Sequence, residues 1–399
     1  MTTAQRPPKV PRPVPVPRVR SALMDRLAAE DVEMFWSRIA DRLPLVETLS
    51  VEEGDSPEVI VTFCWRDEAA APAEQVLLFA NRLTDETSLP ETLLERMPGT
   101  DIWHASFRMG RDWRASYSFL VQPVGGRAPW LVDGHVALRT ALDHGLPDPR
   151  NPDTCVNRAG IIQSVASMPD APAQPWLHPR PGEEHGAVET VTGPDGREVW
   201  LYRPAGSDAP AGSGPLPLVV ALDGEVWVRW LPTILDNLIA AGEIPPVHAV
   251  LPSSGGREAR WAELGAAGGG AAWVSEALLP WAADRLSFDR DRVVLAGQSL
   301  GGLTALRAGL SRPDVIGAVI SHSASLWQDD LAELVRPGID TRIHLAHGTQ
   351  EWVLDGPHRD LAARLSAAGV ATDVATYNGG HDYACWRGGI AEGIRWALG

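Results

Sequence analysis

The chain has 399 residues, of which 44% are hydrophobic, and a formal net charge of −16 at pH 7. Its length is sufficient for two globular domains. The negative charge, with no broad basic stripe to offset it, argues against nucleic acid as a partner, and an anionic ligand would need arginines placed close to its site. No run of eighteen apolar residues occurs, so the sequence predicts no transmembrane helix and no membrane partner.

The first twenty residues alternate basic residues with prolines and contain no apolar core like that of a signal peptide. They predict a disordered tail over 1–21. The three cysteines, Cys64, Cys155 and Cys385, are odd in number, far apart and without metal-ligand spacing. These features predict a cytoplasmic protein with no metal site.

The N-terminal half begins with apolar residues at helical spacing, which predict one helix over 23–39. The apolar period then changes to two in four runs separated by turn residues: 59–65, 75–80, 102–107 and 116–121. This alternation predicts an immunoglobulin-like β-sandwich over 22–145. Proline-rich segments after it predict a linker over 146–182.

The second half has a different rhythm, because strand-like runs alternate with helical ones. The predicted strands are 198–202, 218–222, 247–251, 293–296, 315–321, 342–346 and 372–377. Such alternation is typical of a mostly parallel sheet covered by helices. We therefore expect an α/β protein, in which an α/β-hydrolase domain over 183–399 follows the N-terminal sandwich.

The most informative segment is 293–302, where a β-branched run leads through Gly-x-Ser-x-Gly into a helix-forming stretch. An abrupt strand-to-helix turn at Ser299 exposes its hydroxyl, and Gly297 and Gly301 leave room for that turn. The start of the new helix directs N–H groups at the group under attack. Ser299 is thus the predicted nucleophile. The alternative, a serine in an ordinary glycine-rich turn, leaves the glycines unexplained.

A serine nucleophile needs a general base and an acid that orients the base. In this fold the acid and then the histidine follow the serine in the chain. His381 lies between the last strand and the last helix and is the predicted base, with a surface-loop histidine as the alternative. Glu351 follows the strand that ends near residue 346 and is the favoured acid. Asp355 is its rival, and either carboxylate could instead be solvated.

The tetrahedral intermediate needs two N–H donors. One is expected from the backbone of Leu300, directly after the nucleophile. The other is expected from the loop after the strand 218–222, at Glu225 or Gly224.

Three segments around these residues resemble the enterochelin (enterobactin) esterase family: 222–227, 296–303 and 379–387. The segments 80–85, 98–104 and 112–117 are similar to the N-terminal domain of that family, and the resemblance covers nearly everything after residue 22. Members hydrolyse the tris-serine lactone of ferric catecholate siderophores in the cytoplasm. The resemblance implies the same activity here, with Ser299, His381 and Glu351 as the catalytic triad.

The resemblance also implies that arginines near the site hold the catecholates, for which Arg257, Arg260 and Arg387 are the candidates. Trp227 and Trp386 are candidate ring contacts, with ordinary packing as the alternative. No cofactor is implied, because the iron arrives with the substrate. The segments 251–256 and 325–328 depart from the family pattern, which affects the choice of catecholate more than the chemistry.

Two other functions remain open at this stage. One is a general carboxylesterase or acyltransferase of the same fold, and the other is a siderophore-binding protein without turnover. The sequence assigns no role to the N-terminal sandwich and no oligomeric state.

Overall fold

The computed structural model describes residues 15–28, 31–40, 42–51, 54–68, 70–206 and 215–399. Among these, 15–172 and 377–385 form one compact unit, here the N-terminal unit. The residues 173–206, 215–376 and 386–399 form the other, here the C-terminal unit. The segment that contains His381 therefore belongs to the N-terminal unit, although residues of the C-terminal unit flank it in sequence.

The N-terminal unit begins with two short helices, Ala22–Ala28 (α1) and Val32–Arg38 (α2), where the sequence predicts one. Asp31 accounts for the break, since its side chain accepts a hydrogen bond from the Glu33 N–H and caps α2. Of the predicted tail, 1–14 lie outside the described residues. The end of that tail is not free, because the Val19 N–H donates to the Ser106 carbonyl at 3.0 Å.

Two four-stranded antiparallel sheets build this unit, in the orders β1-β2-β5-β4 and β3-β6-β8-β7. The strands are Leu45–Val51 (β1), Gly54–Arg66 (β2), Ala73–Ala80 (β3), Glu95–Arg96 (β4), Ile102–Gly110 (β5), Arg114–Pro123 (β6), Thr154–Val156 (β7) and Ile162–Ser167 (β8). Alternate residues of both sheets share one apolar core, which includes Phe63, Leu78, Phe107 and Tyr117.

The opposite face of β3 is also covered. Leu77 and Phe79 pack with Trp130 and with Leu142 of the helix His135–Asp143 (α3). Both faces of this sheet are therefore buried, which is why β3 is apolar almost throughout.

The predicted linker differs from the structure, because β7 and β8 lie within 146–182. Ser164 of β8 pairs with Tyr117 of β6, so these strands complete the second sheet. They are only three and six residues long. Their proline- and glycine-rich flanks hide them in the sequence. The division between the two units falls at Pro172.

An eight-stranded mixed sheet forms the centre of the C-terminal unit, in the order β16-β15-β14-β13-β11-β12-β10-β9. Its strands are Ala187–Thr192 (β9), Glu198–Arg203 (β10), Leu216–Ala221 (β11), His248–Pro252 (β12), Phe288–Gln298 (β13), Ala318–His322 (β14), Arg342–Gly348 (β15) and Thr372–Tyr377 (β16). The strands β11 to β15 pair in parallel, as predicted, whereas β9 and β10 pair antiparallel.

Helices follow the strands of this sheet and pack on it through apolar residues. They are Gly224–Trp227 (α4), Leu231–Ala240 (α5), Arg257–Leu264 (α6), Gly270–Trp273 (α7), Leu279–Ala283 (α8), Leu300–Ser311 (α9), Asp355–Ala367 (α10) and Tyr383–Leu398 (α11). Leu303 and Leu306 of α9, for example, share a core with Leu295 of β13. Within the described ranges, no helix is long and apolar enough to cross a membrane.

The arrangement places the predicted site residues of this unit at one edge of the sheet. The carboxyl ends of parallel strands lie side by side, and ligands of open α/β sheets bind there. Ser299 follows β13, and Glu351 follows β15 in the loop before α10. The loop that begins at Asp223 follows β11 at the same edge.

Candidate active site

Ser299 lies at an abrupt turn between β13 and α9. Its backbone has φ 58° and ψ −118°, a conformation that costs free energy in a residue other than glycine. The Ser299 N–H donates to the His322 carbonyl at 2.9 Å, and the Leu303 N–H donates to the Ser299 carbonyl at 3.0 Å. A Cβ atom on Gly297 would lie 2.3 Å from the Gly301 carbonyl oxygen. The turn therefore requires the glycine that the motif supplies.

A second hydroxyl lies beside the nucleophile. Ser325 Oγ is 3.4 Å from Ser299 Oγ, and the Ser325 N–H donates to the Ser299 carbonyl at 3.0 Å. The loop after β14 thus contacts the predicted nucleophile through both the backbone and a side chain.

Glu351 is buried, with an exposed fraction of 1%. Its Oε2 accepts hydrogen bonds from the Ser323 hydroxyl at 2.6 Å and from the Gly348 N–H at 2.7 Å. Trp386 Nε1 in turn donates to Ser323 Oγ at 3.0 Å. Two neutral donors thus fix this carboxylate inside the C-terminal unit.

The rival acid is in a different environment. Asp355 is the first residue of α10, and its Oδ1 lies 3.1 Å from Nε2 of the buried His347. Its Oδ2 forms an ion pair with Arg359 at 2.9 Å. The cation of its own helix therefore partly neutralises Asp355.

His381 lies in the segment 378–382, here the histidine loop. Asn81 Nδ2 donates to the His381 carbonyl at 3.2 Å. The Asp382 carboxylate accepts from the Ser116 N–H at 2.6 Å and from the Ala384 N–H at 2.9 Å, the latter bond at the start of α11. Sequence reasoning assigned no role to Asn81, Ser116 or Asp382, although all three lie in the segments that resemble the enterochelin esterases.

The predicted oxyanion loop follows β11. Asp223 is left-handed, with φ 62°, and α4 begins at the next residue. A Cβ atom on Gly224 would lie 2.4 Å from the Leu251 carbonyl oxygen, so glycine is required there. The N–H groups of Gly224 and Glu225 lie in the first helical turn, where the helix itself provides no acceptor. The Glu225 carboxylate accepts from the N–H and the hydroxyl of Ser254, so its side chain is directed to another loop.

Arg260, which the sequence suggests as a catecholate ligand, is bonded inside the protein. Only 4% of this residue is exposed. Its Nε and Nη2 donate to the two carboxylate oxygens of Asp223 at 2.5 and 2.8 Å, and Nη2 also donates to the Gln298 carbonyl at 3.2 Å. The guanidinium thus joins the oxyanion loop to the residue before Ser299, and its charge is balanced within the protein.

Three other predicted substrate contacts are also buried and bonded internally. Trp227 is fully buried and donates through Nε1 to Gln298 Oε1 at 2.8 Å. Trp386 donates to Ser323, and Arg387, 2% exposed, donates through Nε to Gln174 Oε1 at 2.9 Å. For the two tryptophans the structure favours the packing alternative. Of the five predicted contacts, Arg257 alone is exposed.

Two buried histidines, His322 of β14 and His344 of β15, lie on the strands that follow the nucleophile in the sheet. Burial, with the neighbouring His344 acting in the same direction, lowers the pKa of His322 to about 3. The two rings lie 5.9 Å apart. Burial also lowers the pKa of His344, against the effect of Asp373 Oδ2 at 2.7 Å. His322 is therefore neutral while its carbonyl accepts the Ser299 N–H.

Metal-ligating side chains do not cluster in the part of the chain that the structure describes. No group of three or more histidine, cysteine, aspartate or glutamate residues is placed there to hold a metal ion. The hydroxyls of Ser299 and Ser325 and the buried Glu351 carboxylate, bonded to Ser323, are groups of the kind that acyl transfer uses.

Comparison with known proteins agrees with this chemistry. Residues 60–177 match the model of the enterochelin esterase N-terminal domain, and residues 194–397 match the Esterase family model. The iron(III) enterobactin esterase of Dickeya dadantii is 32% identical, over 92% of this chain and 93% of the relative. The iron(III) salmochelin esterase of Escherichia coli is 34% identical, over 95% and 97%.

A solved structure is similar over the same extent. The ferric enterobactin esterase from Salmonella typhimurium superposes with a TM-score of 0.77 at 27% identity, covering 92% of this chain and 98% of that one. The match thus includes both units, in sequence and in fold. The chain is a carboxylic ester hydrolase that belongs to the enterochelin esterase family.

Proposed function

We propose that this protein hydrolyses the serine-lactone esters of ferric catecholate siderophores of the enterobactin type, and so releases the iron that the substrate carries. The observation that carries the proposal is Ser299 in its left-handed turn between β13 and α9. The relatives that share both units are named for iron(III) enterobactin and iron(III) salmochelin, which gives the substrate class.

The proposed mechanism is a two-step acyl transfer. Ser299 Oγ attacks a lactone carbonyl while His381 accepts the hydroxyl proton. The N–H groups of Leu300 and of Glu225 or Gly224 stabilise the oxyanion. The intermediate collapses to a seryl ester on the enzyme, and His381 returns its proton to the departing serine hydroxyl of the substrate. Water, deprotonated by His381, then cleaves the acyl-enzyme, and repetition gives the dimer and the monomer.

Glu351 is the proposed acid of the triad. A carboxylate that orients a catalytic imidazole must keep its charge in order to stabilise the imidazolium. The neutral donors Ser323 and Gly348 hold Glu351 in place without removing that charge. The ion pair of Asp355 with Arg359 makes Asp355 the weaker candidate.

Substrate binding requires positive charge, because a ferric tris-catecholate is a large trianion and this chain has a net charge of −16. Arginine suits the ligand through its charge and through stacking on aromatic rings. Arg257, exposed at the start of α6, is the proposed contact. The iron is cargo, and the proposed chemistry uses protein groups alone, so we assign no cofactor. Three buried thiols suit the reducing cytoplasm.

The same proposal extends to the fold of each unit. The two antiparallel sheets around one core support an immunoglobulin-like sandwich for the N-terminal unit. The five parallel strands β11 to β15 and the serine turn after β13 support an α/β-hydrolase domain for the C-terminal unit.

The test is chromatography of the products formed from ferric and iron-free enterobactin. The wild type should yield dimer and monomer, and Ser299→Ala should lower kcat by about a millionfold. Glu351→Gln should lower kcat by roughly a thousand- to ten-thousandfold, whereas Asp355→Asn should stay near the wild type. Activity in Ser299→Ala equal to the wild type would refute the mechanism. If both lactones persist while a simple aryl ester is cleaved, the substrate assignment is wrong.

A further inference from the structure

The N-terminal unit contains two segments that the proposed chemistry does not use, although both resemble the enterochelin esterases. One is the turn after β3, at 80–85, and the other is the start of β6, at 112–117. In the structure, both contact the histidine loop. They therefore connect a sandwich of unassigned role to the residue proposed as the general base.

The contacts bracket His381. On one side, Asn81 Nδ2 donates to the His381 carbonyl at 3.2 Å, across 300 residues of sequence. On the other side, the Ser116 N–H donates to Asp382 Oδ2 at 2.6 Å, across 266 residues. Asp382 is only 4% exposed, so this charge-assisted bond is shielded from water.

Further bonds fix the start of the loop. The Arg114 N–H donates to the Asn378 carbonyl at 3.0 Å. Asn378 Nδ2 donates to Asp112 Oδ1 at 2.6 Å. One backbone bond and one side-chain bond thus connect Asn378 to the residues at the start of β6.

Close packing accompanies these bonds. A Cβ atom on Gly380 would lie 2.3 Å from Asn81 Oδ1 and from Arg82 Cγ. A Cβ atom on Gly379 would lie 2.8 Å from the Arg114 carbonyl oxygen. The two glycines let the loop approach the sandwich, but glycines also leave a loop conformationally free, so external bonds are needed to hold one conformation.

We propose that the N-terminal unit positions the general base. Asn81 and the Ser116–Asp382 bond fix the backbone on either side of His381 and so set the orientation of its imidazole. The proposal rests on the proposed function, in which His381 is the base. Misplacement of a catalytic group by about 1 Å can lower the rate by roughly a hundredfold, so a loop of this kind needs such support.

The main test compares Asn81→Ala with Gln122→Ala in the full-length protein. Gln122 Nε2 donates to the Gly126 carbonyl at 3.0 Å and to Glu74 Oε2 at 3.2 Å, so the control removes amide hydrogen bonds from the same unit without touching the histidine loop. Asp382→Asn, which keeps the side-chain shape, is the second variant. Circular dichroism and thermal melting establish the folded fraction of each protein.

The readouts are kcat and KM for neutral p-nitrophenyl butyrate, and the rate constant for inactivation by a neutral fluorophosphonate, which also requires an activated serine. We expect Asn81→Ala and Asp382→Asn to lower kcat and the inactivation rate constant by the same factor, roughly ten- to a hundredfold. KM should change less than about threefold. Gln122→Ala should match the wild type.

Two outcomes would overturn the positioning role. In the first, Asn81→Ala and Asp382→Asn melt at lower temperature but keep the wild-type kcat and inactivation rate. In the second, the only change is a higher KM. His381→Ala, measured in parallel, separates this failure from that of the proposed function. If His381→Ala keeps full activity, His381 is not the general base. If His381→Ala loses activity while Asn81→Ala and Asp382→Asn keep it, only the positioning role is wrong.

Discussion

The nucleophile turn and the histidine loop are held in opposite ways. Ser299 is held mainly by its own stretch of chain, since Gly297 leaves room for the Gly301 carbonyl and the Leu303 N–H closes the first turn of α9. Its partners outside the motif, the His322 carbonyl and the Ser325 N–H, come from the next strand and the loop after it. The histidine loop is fixed by Asn81 and Ser116, 300 and 266 residues from their partners. One region is therefore a local motif, and the other exists only once the N-terminal unit has folded.

The two regions should tolerate substitution to different extents. At the nucleophile turn the neighbouring atoms are backbone, which cannot move without distorting β13 and α9. At the histidine loop they are largely side chains, which can adopt other rotamers. Equal changes in the two regions should therefore have unequal effects.

Gly297→Ala should impair the enzyme far more than Gly380→Ala. Each new Cβ would lie 2.3 Å from its nearest neighbour, which is the Gly301 carbonyl oxygen in the first case and the Asn81 and Arg82 side chains in the second. We expect kcat/KM to fall about a thousandfold for Gly297→Ala, because both the serine and the Leu300 N–H are displaced. Gly380→Ala should lose roughly tenfold. Steady-state kinetics on p-nitrophenyl butyrate measures both.

Gly356→Ala is the control for the loss of a glycine. Apart from its chain neighbours and the backbone of α10, no atom lies within 4 Å of a Cβ built at Gly356, so this variant should keep full activity. If Gly297→Ala and Gly380→Ala lose the same fraction of kcat/KM, the two regions tolerate an added Cβ equally and the difference proposed between them is wrong.

The nucleophile turn could be predicted from the sequence because the residues that form it are contiguous. A β-branched run, two glycines and a helix-forming segment predict the turn at Ser299, and the structure has it there. The parallel strands β11 to β15 follow from the same kind of pattern, since buried strands alternate with helices. The placement of Glu351 after β15 required only the order of the elements.

Other features depend on contacts that no local pattern encodes. The strands β7 and β8 are short and proline-flanked, and they form because β6 offers an unpaired edge. The assignment of 377–385 to the N-terminal unit has the same origin. Arg260 was assigned to substrate because it is an arginine near the site, whereas Asp223 and Gln298, 37 and 38 residues away, bind its guanidinium.

Arg260→Lys should impair the nucleophile side of the site through the oxyanion loop. A lysine has no planar fork with which to bind both Asp223 oxygens and the Gln298 carbonyl together. We expect kcat to fall about tenfold on neutral p-nitrophenyl butyrate and on ferric enterobactin alike, because the two oxyanion donors shift relative to each other. KM for either ester should stay nearly constant, as determined by steady-state kinetics.

Arg257→Lys is the matched change at an exposed arginine of the same helix. It should raise KM for ferric enterobactin and leave the neutral ester unaffected, since Arg257 is the proposed contact with the trianion. If Arg260→Lys instead raises KM for the anionic substrate alone, Arg260 is a substrate ligand and the internal role assigned to it is wrong.

His322, whose carbonyl accepts the Ser299 N–H, should affect the stability of the fold rather than catalysis. Burial lowers the pKa of His322 to about 3 in the folded protein, whereas the unfolded chain should titrate near 6.5. Below pH 6.5 the unfolded state binds the proton and the folded state does not. The free energy of unfolding should therefore decrease with falling pH by up to about 1.4 kcal/mol per unit, until pH approaches 3.

Urea unfolding at pH 7, 6 and 5 measures this dependence. His322→Gln removes the titrating group and should flatten the slope, whereas His178→Gln, a change at an exposed histidine of the same unit, should keep it. His344, whose pKa is lowered by burial, should supply the part of the slope that remains in His322→Gln. A slope that is identical in His322→Gln and the wild type would mean that the strand behind Ser299 does not sense pH through His322.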